Sequence, residues 1–241
     1  MTIAGGPDLI TDGLILDLDA ANSKSYSGSG TVWRDLSGNG YDGTLTNGPL
    51  YKNQNGGVIS FDGTNDYVAF ANTTIGSFNN ATFSFGSWFY FDGTSQAGTM
   101  IGKRNDSPYN QYNMSINNDA QNGGLGTKLT AFANSDQNSG GYMTFNYQLS
   151  GAAWYYGVCV INNNSQKLYV NGVNVLSLSQ LYSGTTFNIS GKPLYVGALN
   201  VNNAPVGFFK SNIATAFLYN RALSASEVSQ NYNALKGRFG L

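Results

Sequence analysis

Apolar and polar positions alternate along most of this chain, the pattern of a strand with one buried face rather than of a helix. Leu14, Leu16 and Leu18 alternate with Ile15, Asp17 and Asp19. Phe83, Phe85, Phe89 and Phe91 fall on one face of a longer run whose other face carries Trp88 and Tyr90. Trp154, Tyr156, Val158 and Val160 repeat the pattern; Tyr112, Met114 and Ile116 do so more briefly, as do Leu168 and Val170. Residues 167–170 and 173–176 flank Asn171-Gly172. Asn-Gly accepts positive φ at both central positions, so this segment predicts a hairpin closed by a type I′ turn. Further strands are expected over 194–198 and 213–219. A single helix is expected, near the C-terminus. Ser224-Ala225-Ser226-Glu227 reads as a capping box, Val228, Tyr232 and Leu235 follow at helical spacing, and Gly237 is expected to stop the run.

Composition supports an all-β reading. Of 241 residues, 31 are Gly and 31 are Asn, and these two turn-forming types together favour many short strands joined by tight turns. No break in composition divides the chain, so residues 1–11 read as an N-terminal arm and residues 12–241 as one domain. Charged residues make up only 10%, against about 25% in an average globular protein. With 12 Lys and Arg against 13 Asp and Glu, no basic stripe is present to neutralise a phosphate backbone, which argues against nucleic acid as a partner. The absence of His removes the usual general base and zinc ligand. Cys159 is the only cysteine, so no internal disulfide can form; within the apolar run 154–161 it reads as a small buried hydrophobe. The N-terminus lacks a basic region followed by an apolar segment, and nowhere do about 18 apolar residues run together. Synthesis in a cytoplasm without a signal peptide, and no membrane partner, are the expectations.

Several blocks carry a family likeness. They are Gly13-Leu14-Ile15-Leu16-Asp17-Leu18-Asp19-Ala20-Ala21-Asn22, then Trp33-Arg34-Asp35-Leu36-Ser37-Gly38-Asn39-Gly40-Tyr41-Asp42-Gly43. Next come Phe61-Asp62-Gly63-Thr64-Asn65-Asp66-Tyr67-Val68, then Thr82-Phe83-Ser84-Phe85-Gly86-Ser87-Trp88-Phe89, and finally 213–219 with the capped helix. In this order they resemble the laminin-G-like, concanavalin A-like lectin/glucanase superfamily over nearly the whole chain. The resemblance implies a jelly-roll sandwich of two antiparallel sheets, one of them often used for glycans. Residues 37–40 and 62–66 read as turns closed by Asx side chains. Trp33 reads as a plug whose indole N–H bonds a turn carbonyl.

Glucanases that this chain resembles carry Glu-x-Asp-x-Glu along one strand. Glu227 is the only Glu and is already assigned to a helix cap. Asp17 and Asp19 are the only strand carboxylates two residues apart, and position 21 is Ala. Glycoside hydrolysis needs two carboxylates across the bond, and a Ser or Cys nucleophile would have no His base, so no enzymatic activity is expected. Calcium at the sandwich rim is common in relatives. The weak candidate ligands here are Asp62, Asn65 and Asp66, with Arg104-Asn105-Asp106 as a second group; ordinary turn chemistry is the competing reading of both. The turn blocks also look like those of bacteriophage virion proteins. The expectation is therefore a non-enzymatic virion protein (capsid decoration, head fibre or tail-associated module) whose partners are other virion proteins or further copies of itself, with weak glycan affinity for host-surface adhesion. The alternative is a secreted or cell-surface bacterial carbohydrate-binding module.

Overall fold

The computed structural model describes residues 7–94, 97–106, 109–116, 126–134, 143–163, 165–179 and 187–241. The first nine strands are β1 (Leu14–Asp19), β2 (Val32–Trp33), β3 (Gly43–Thr46), β4 (Leu50–Lys52), β5 (Val58–Asp62), β6 (Tyr67–Phe70), β7 (Thr82–Phe91), β8 (Gly98–Asp106) and β9 (Tyr109–Ile116). They continue as β10 (Lys128–Asn134), β11 (Met143–Gln148), β12 (Ala153–Asn162), β13 (Ser165–Val170), β14 (Val173–Ser179), β15 (Leu194–Val196), β16 (Leu199–Val201), β17 (Ala204–Val206) and β18 (Lys210–Tyr219), followed by helix α1 (Ala225–Leu235). One sheet runs β14-β13-β12-β7-β18-β5-β4, with β1 also on β18; the other runs β11-β10-β9-β8-β15-β6-β3-β2. Every pairing is antiparallel, and β16–β17 form a separate hairpin.

The alternation in the sequence is the alternation of faces. Phe83, Phe85, Phe89 and Phe91 of β7 join Cys159 and Ile161 of β12 in a core shared with Tyr112, Met114 and Ile116 of β9 and with Leu129 of β10. The Cys159 thiol is fully buried, and burial pushes its pKa up, so it packs as a hydrophobe. The hairpin is formed as expected: Val170 pairs with Val173, and Asn171 and Gly172 have φ of 50° and 79°. Of the second sheet the sequence pattern singled out β9 and the short β15 but not β2, β3 or β6, and it did not single out the β16–β17 hairpin.

The first sheet is covered on its outer face as well. Trp88, Tyr156, Phe217 and Tyr219 project there and form a second apolar cluster with Val228 of α1 and Phe239. The capping box is present: Glu227 N–H donates to Ser224 Oγ, and Ser224 N–H donates to Glu227 Oε2. Gly237 does not end the helical run. The chain continues as a 3₁₀ turn over Lys236–Phe239 and stops at Gly240, which has φ of 73°. The extra turn carries Phe239 onto Trp88 and Trp154, at centroid separations of 4.2 and 4.7 Å, and burying that ring outweighs the local stop signal.

Two buried polar groups shape the loops. Lys103 on β8 is completely buried, and its ammonium donates to the carbonyls of Thr73 (2.8 Å) and Ile75 (2.6 Å). Tyr112 beside it donates to the Gly76 carbonyl at 2.9 Å, so together the two side chains hold the loop entering β7. Trp33 is buried as expected, but its indole N–H has no acceptor among the described residues. Packing against the core, rather than a bond to a turn carbonyl, is what holds the ring.

Candidate functional site

A groove of about 300 Å³ opens on the outer face of the first sheet. One side is made by neighbouring strands: Val160 pairs with Lys167 and Asn162 with Ser165 across β12–β13, and these side chains point outward with Tyr169. The other side is the chain that enters α1, from Ala222 to Glu227. Ser84 on β7 positions that wall, since its hydroxyl donates to Arg221 O and accepts from Leu223 N–H, each at 2.9 Å.

The groove's charges are unequal in what they can offer a ligand. Arg221 holds Glu227 through two hydrogen bonds of 2.7 and 3.0 Å and also pairs with Asp12 at 2.7 Å. The Arg221 guanidinium, helped by the cap N–H of Ser224, pulls the Glu227 carboxyl down to about 2. This carboxylate is therefore ionised and already partnered. Lys167 is exposed and forms no ion pair among the described residues. Val160 and Leu223 give an apolar floor, while Asn162, Ser165, Ser224 and Lys167 give a hydrogen-bonding rim. The lining divides evenly between apolar and polar residues, more polar than the usual small-ligand site, and roughly 300 Å³ is at the small end of the range for such sites. A sugar suits such a recess, with C–H faces on the floor and hydroxyls on the rim. Sequence reasoning missed this groove because its two sides come from strands and a helix entry far apart in the chain.

The outward face of the second sheet is polar but closed. Gln111 donates to Asn113, Asn113 donates to Ser115 at 2.6 Å, and the hydroxyls of Ser115 and Thr99 are 3.1 Å apart. All four residues are buried. The β16–β17 hairpin lies against β8, and Gly102 leaves room for Leu199: a Cβ at Gly102 would stand 2.8 Å from Leu199 Cδ1.

The candidate calcium ligands serve as turn staples. Asp62 Oδ1 accepts from the N–H groups of Thr64 (2.7 Å) and Asn65 (3.3 Å), and Asp66 Oδ2 accepts from Asp62 N–H at 3.0 Å. The Thr64 N–H is the main reason the Asp62 carboxyl titrates below the usual range, whereas burial raises that of Asp66. Asn65 contributes its carbonyl to the Asn47 amide at 2.8 Å. In the second group, Asp106 pairs with Arg104 at 2.6 Å and accepts from Asn202 N–H at 2.5 Å, while Asn105 lies opposite Asn110 in the β8–β9 ladder. Among the described residues, no three His, Cys, Asp or Glu side chains come together to hold a metal ion. The strand pair Asp17 and Asp19 lies under α1, with Asp19 bound to Arg238 at 2.7 Å.

Two face-packed antiparallel sheets, a helix folded onto one outer face and a recess at that helix's entry define a jelly-roll domain of the lectin-like kind. The chain belongs to the concanavalin A-like lectin/glucanases superfamily, whose laminin-G model matches residues 62–229, more than half of its length. Among solved structures it is similar to domain 4 of AbnA, an extracellular arabinanase from Geobacillus stearothermophilus determined with arabinotriose. That match has a TM-score of 0.63 and 17% identity, over 91% of this chain and 98% of the domain. The botulinum neurotoxin type G receptor-binding domain aligns with a TM-score of 0.63 and 15% identity, over 92% of this chain and 51% of that one. A Trypanosoma rangeli sialidase mutant aligns with a TM-score of 0.65 and 17% identity, over 98% of this chain and 35% of that one. The chain thus spans nearly all of the arabinanase domain, about half of the toxin domain and about a third of the sialidase. At these identities the likeness establishes the fold. A comparison with curated proteins finds no match.

Proposed function

We propose that this chain is a non-catalytic carbohydrate-binding module and that the groove between β12–β13 and the entry to α1 takes a neutral saccharide. The observation that carries the reading is the groove itself: a recess sized for a sugar, with an apolar floor, a hydroxyl, amide and ammonium rim, and its one carboxylate neutralised by Arg221. Hydrolysis would need a second carboxylate across the scissile bond, and Glu227 is both the only Glu and committed to a helix cap. The presence of arabinotriose with the similar arabinanase domain is consistent with the reading. The test is a glycan array followed by calorimetric titration with the best hit. Saccharide binding that weakens at least tenfold in Lys167→Ala and Asn162→Ala, without hydrolysis of the ligand, is expected. Absence of binding across the array, or full affinity in both variants, overturns it.

We propose further that the module is carried on a bacteriophage particle as a capsid-decoration, head-fibre or tail-associated protein. Support comes from its sparsely charged, Asn- and Gly-rich composition and from its turn blocks. Mass spectrometry of particles purified from a producing host tests this: recovery of the chain at stoichiometric levels supports it, and absence from washed particles refutes it.

A further inference from the structure

Beneath α1, the outer face of the first sheet holds a second and much smaller cavity of about 20 Å³. A single water needs on the order of 10–15 Å³, so there is room for one. The floor is a row of outward-facing residues in register across four strands, Asp19 on β1, Thr215 on β18, Trp88 on β7 and Tyr156 on β12, with Asp17 one step along β1. Leu14 of β1, Phe217 and Tyr219 of β18, Asn231 and Leu235 of α1 and Leu9 of the N-terminal segment complete the lining.

The polar groups here are under-partnered in a complementary way. The Asp17 carboxyl has neither a hydrogen bond nor an ion pair among the described residues. Trp88 Nε1–H and Tyr156 Oη are buried and likewise without a partner of normal geometry, although the Asn231 amide lies beside Tyr156. Asn231 spends itself elsewhere, accepting from Ile10 N–H at 2.8 Å and donating to Tyr219 Oη at 3.0 Å, while Tyr219 donates to Ile10 O at 2.7 Å. The same cavity wall therefore knits α1, β18 and the N-terminal segment together. Two orphaned donors, one acid and space for one water form a site in which a water links the donors to the acid.

We infer that Asp17 is the proton-binding group of a half-buried one-water site under α1, and that its protonation seats α1 and residues 7–12 on the sheet. The surrounding charges leave Asp17 without a counter-ion. Asp19 on its own strand is neutralised by Arg238 at 2.7 Å. Asp35 accepts from the N–H groups of Asp17, Ser37 and Tyr41 and from the Ser37 hydroxyl. Tyr156 and Tyr219 are pushed above the usual phenol range by burial. α1 contributes only Asn231 and Leu235 to the lining, and the N-terminal segment only Leu9. Burial first, then Asp19 and Asp35, raise the Asp17 pKa to about 7. Once ionised, the carboxylate must be solvated in the narrow, only partly open space under the helix, so opening the helix becomes easier. Because the first turn of α1 walls the groove, the same equilibrium tunes that site, a step that rests on the saccharide reading above.

Hydrogen exchange on the full chain tests the inference without any ligand, so its outcome is independent of whether the groove binds a sugar. After correction for intrinsic exchange, protection of the α1 amides in the wild type is expected to fall about tenfold or more from about pH 5.5 to pH 8.5. In Asp17→Asn that fall should be absent. Equal pH dependence in the two proteins, or none in the wild type, overturns the inference. Carboxyl ¹³C NMR of the wild type supplies a second readout should the variant fail to fold: titration of Asp17 near neutrality supports the site, and titration near pH 4 refutes it.

Discussion

Lys103 offers a test of the fold whose size can be worked from its surroundings. Its ammonium is completely buried, faces the Thr73 and Ile75 carbonyls and forms no ion pair among the described residues. Burial lowers its pKa from 10.5 to about 7. Between those two values the unfolded chain keeps a proton that the folded chain has released, so stability rises with pH across the window, falls as pH drops from 10.5 towards 7 and levels off below it. At 1.36 kcal/mol per pH unit the full gap is worth about 5 kcal/mol. Between pH 7 and 9.5 the share gained is about 3 kcal/mol, or a rise of about 6–12 °C in Tm for a chain of this length. Guanidinium unfolding at several pH values in this range measures it. Lys103→Met keeps most of the length of the side chain, removes the titrating group and should lose the slope, even though it leaves two carbonyls unpaired. A wild-type stability that is flat or falling from pH 7 to 9.5, or an undiminished slope in Lys103→Met, would refute the argument. Either result would mean that the loop carbonyls and nearby solvent hold the ammonium more comfortably than its burial implies.

The Trp33–Gly43 block makes a second prediction. The Asp35 carboxylate accepts four hydrogen bonds, from Asp17 N–H (2.9 Å), Ser37 N–H (2.9 Å), Ser37 Oγ–H (2.7 Å) and Tyr41 N–H (3.1 Å). Asp35→Ala should cost about 2–4 kcal/mol in chemical denaturation, because hydrogen bonds to a charged acceptor are the stronger kind; a loss under 1 kcal/mol would show that water replaces the carboxylate cheaply. For calcium, the turn carboxylates of Asp62 and Asp66 are already engaged by backbone N–H groups. Thermal unfolding in millimolar calcium and in chelator should therefore give the same midpoint, and a rise of several degrees with calcium would establish a site at that turn.

What the sequence settled by itself is local. The period-two placement of Phe83, Phe85, Phe89 and Phe91 opposite Trp88 sorts β7 into two apolar faces, because successive side chains of a strand point to opposite sides, while which of the two enters the sandwich is decided by packing. Asn171-Gly172 selects its hairpin by tolerating positive φ, and Ser224 with Glu227 marks the start of α1 within a single turn. None of these needs a distant partner. The groove, the Asp17 cavity and the buried Lys103 all depend on such partners. Ser84 reaches Arg221 across 137 positions of chain, and Ile10 reaches Asn231 across 221. Lys103 is not among the residues the sequence pattern marks, and packing alone places the Thr73 and Ile75 carbonyls around its amine. Gly237 reads as a helix stop until Phe239 finds Trp88 and Trp154. Local sequence sets the period and the turns. Which outward face is covered, and which polar group is left without water, depends on contacts between segments distant in the chain that form only when the sheets and their loops assemble.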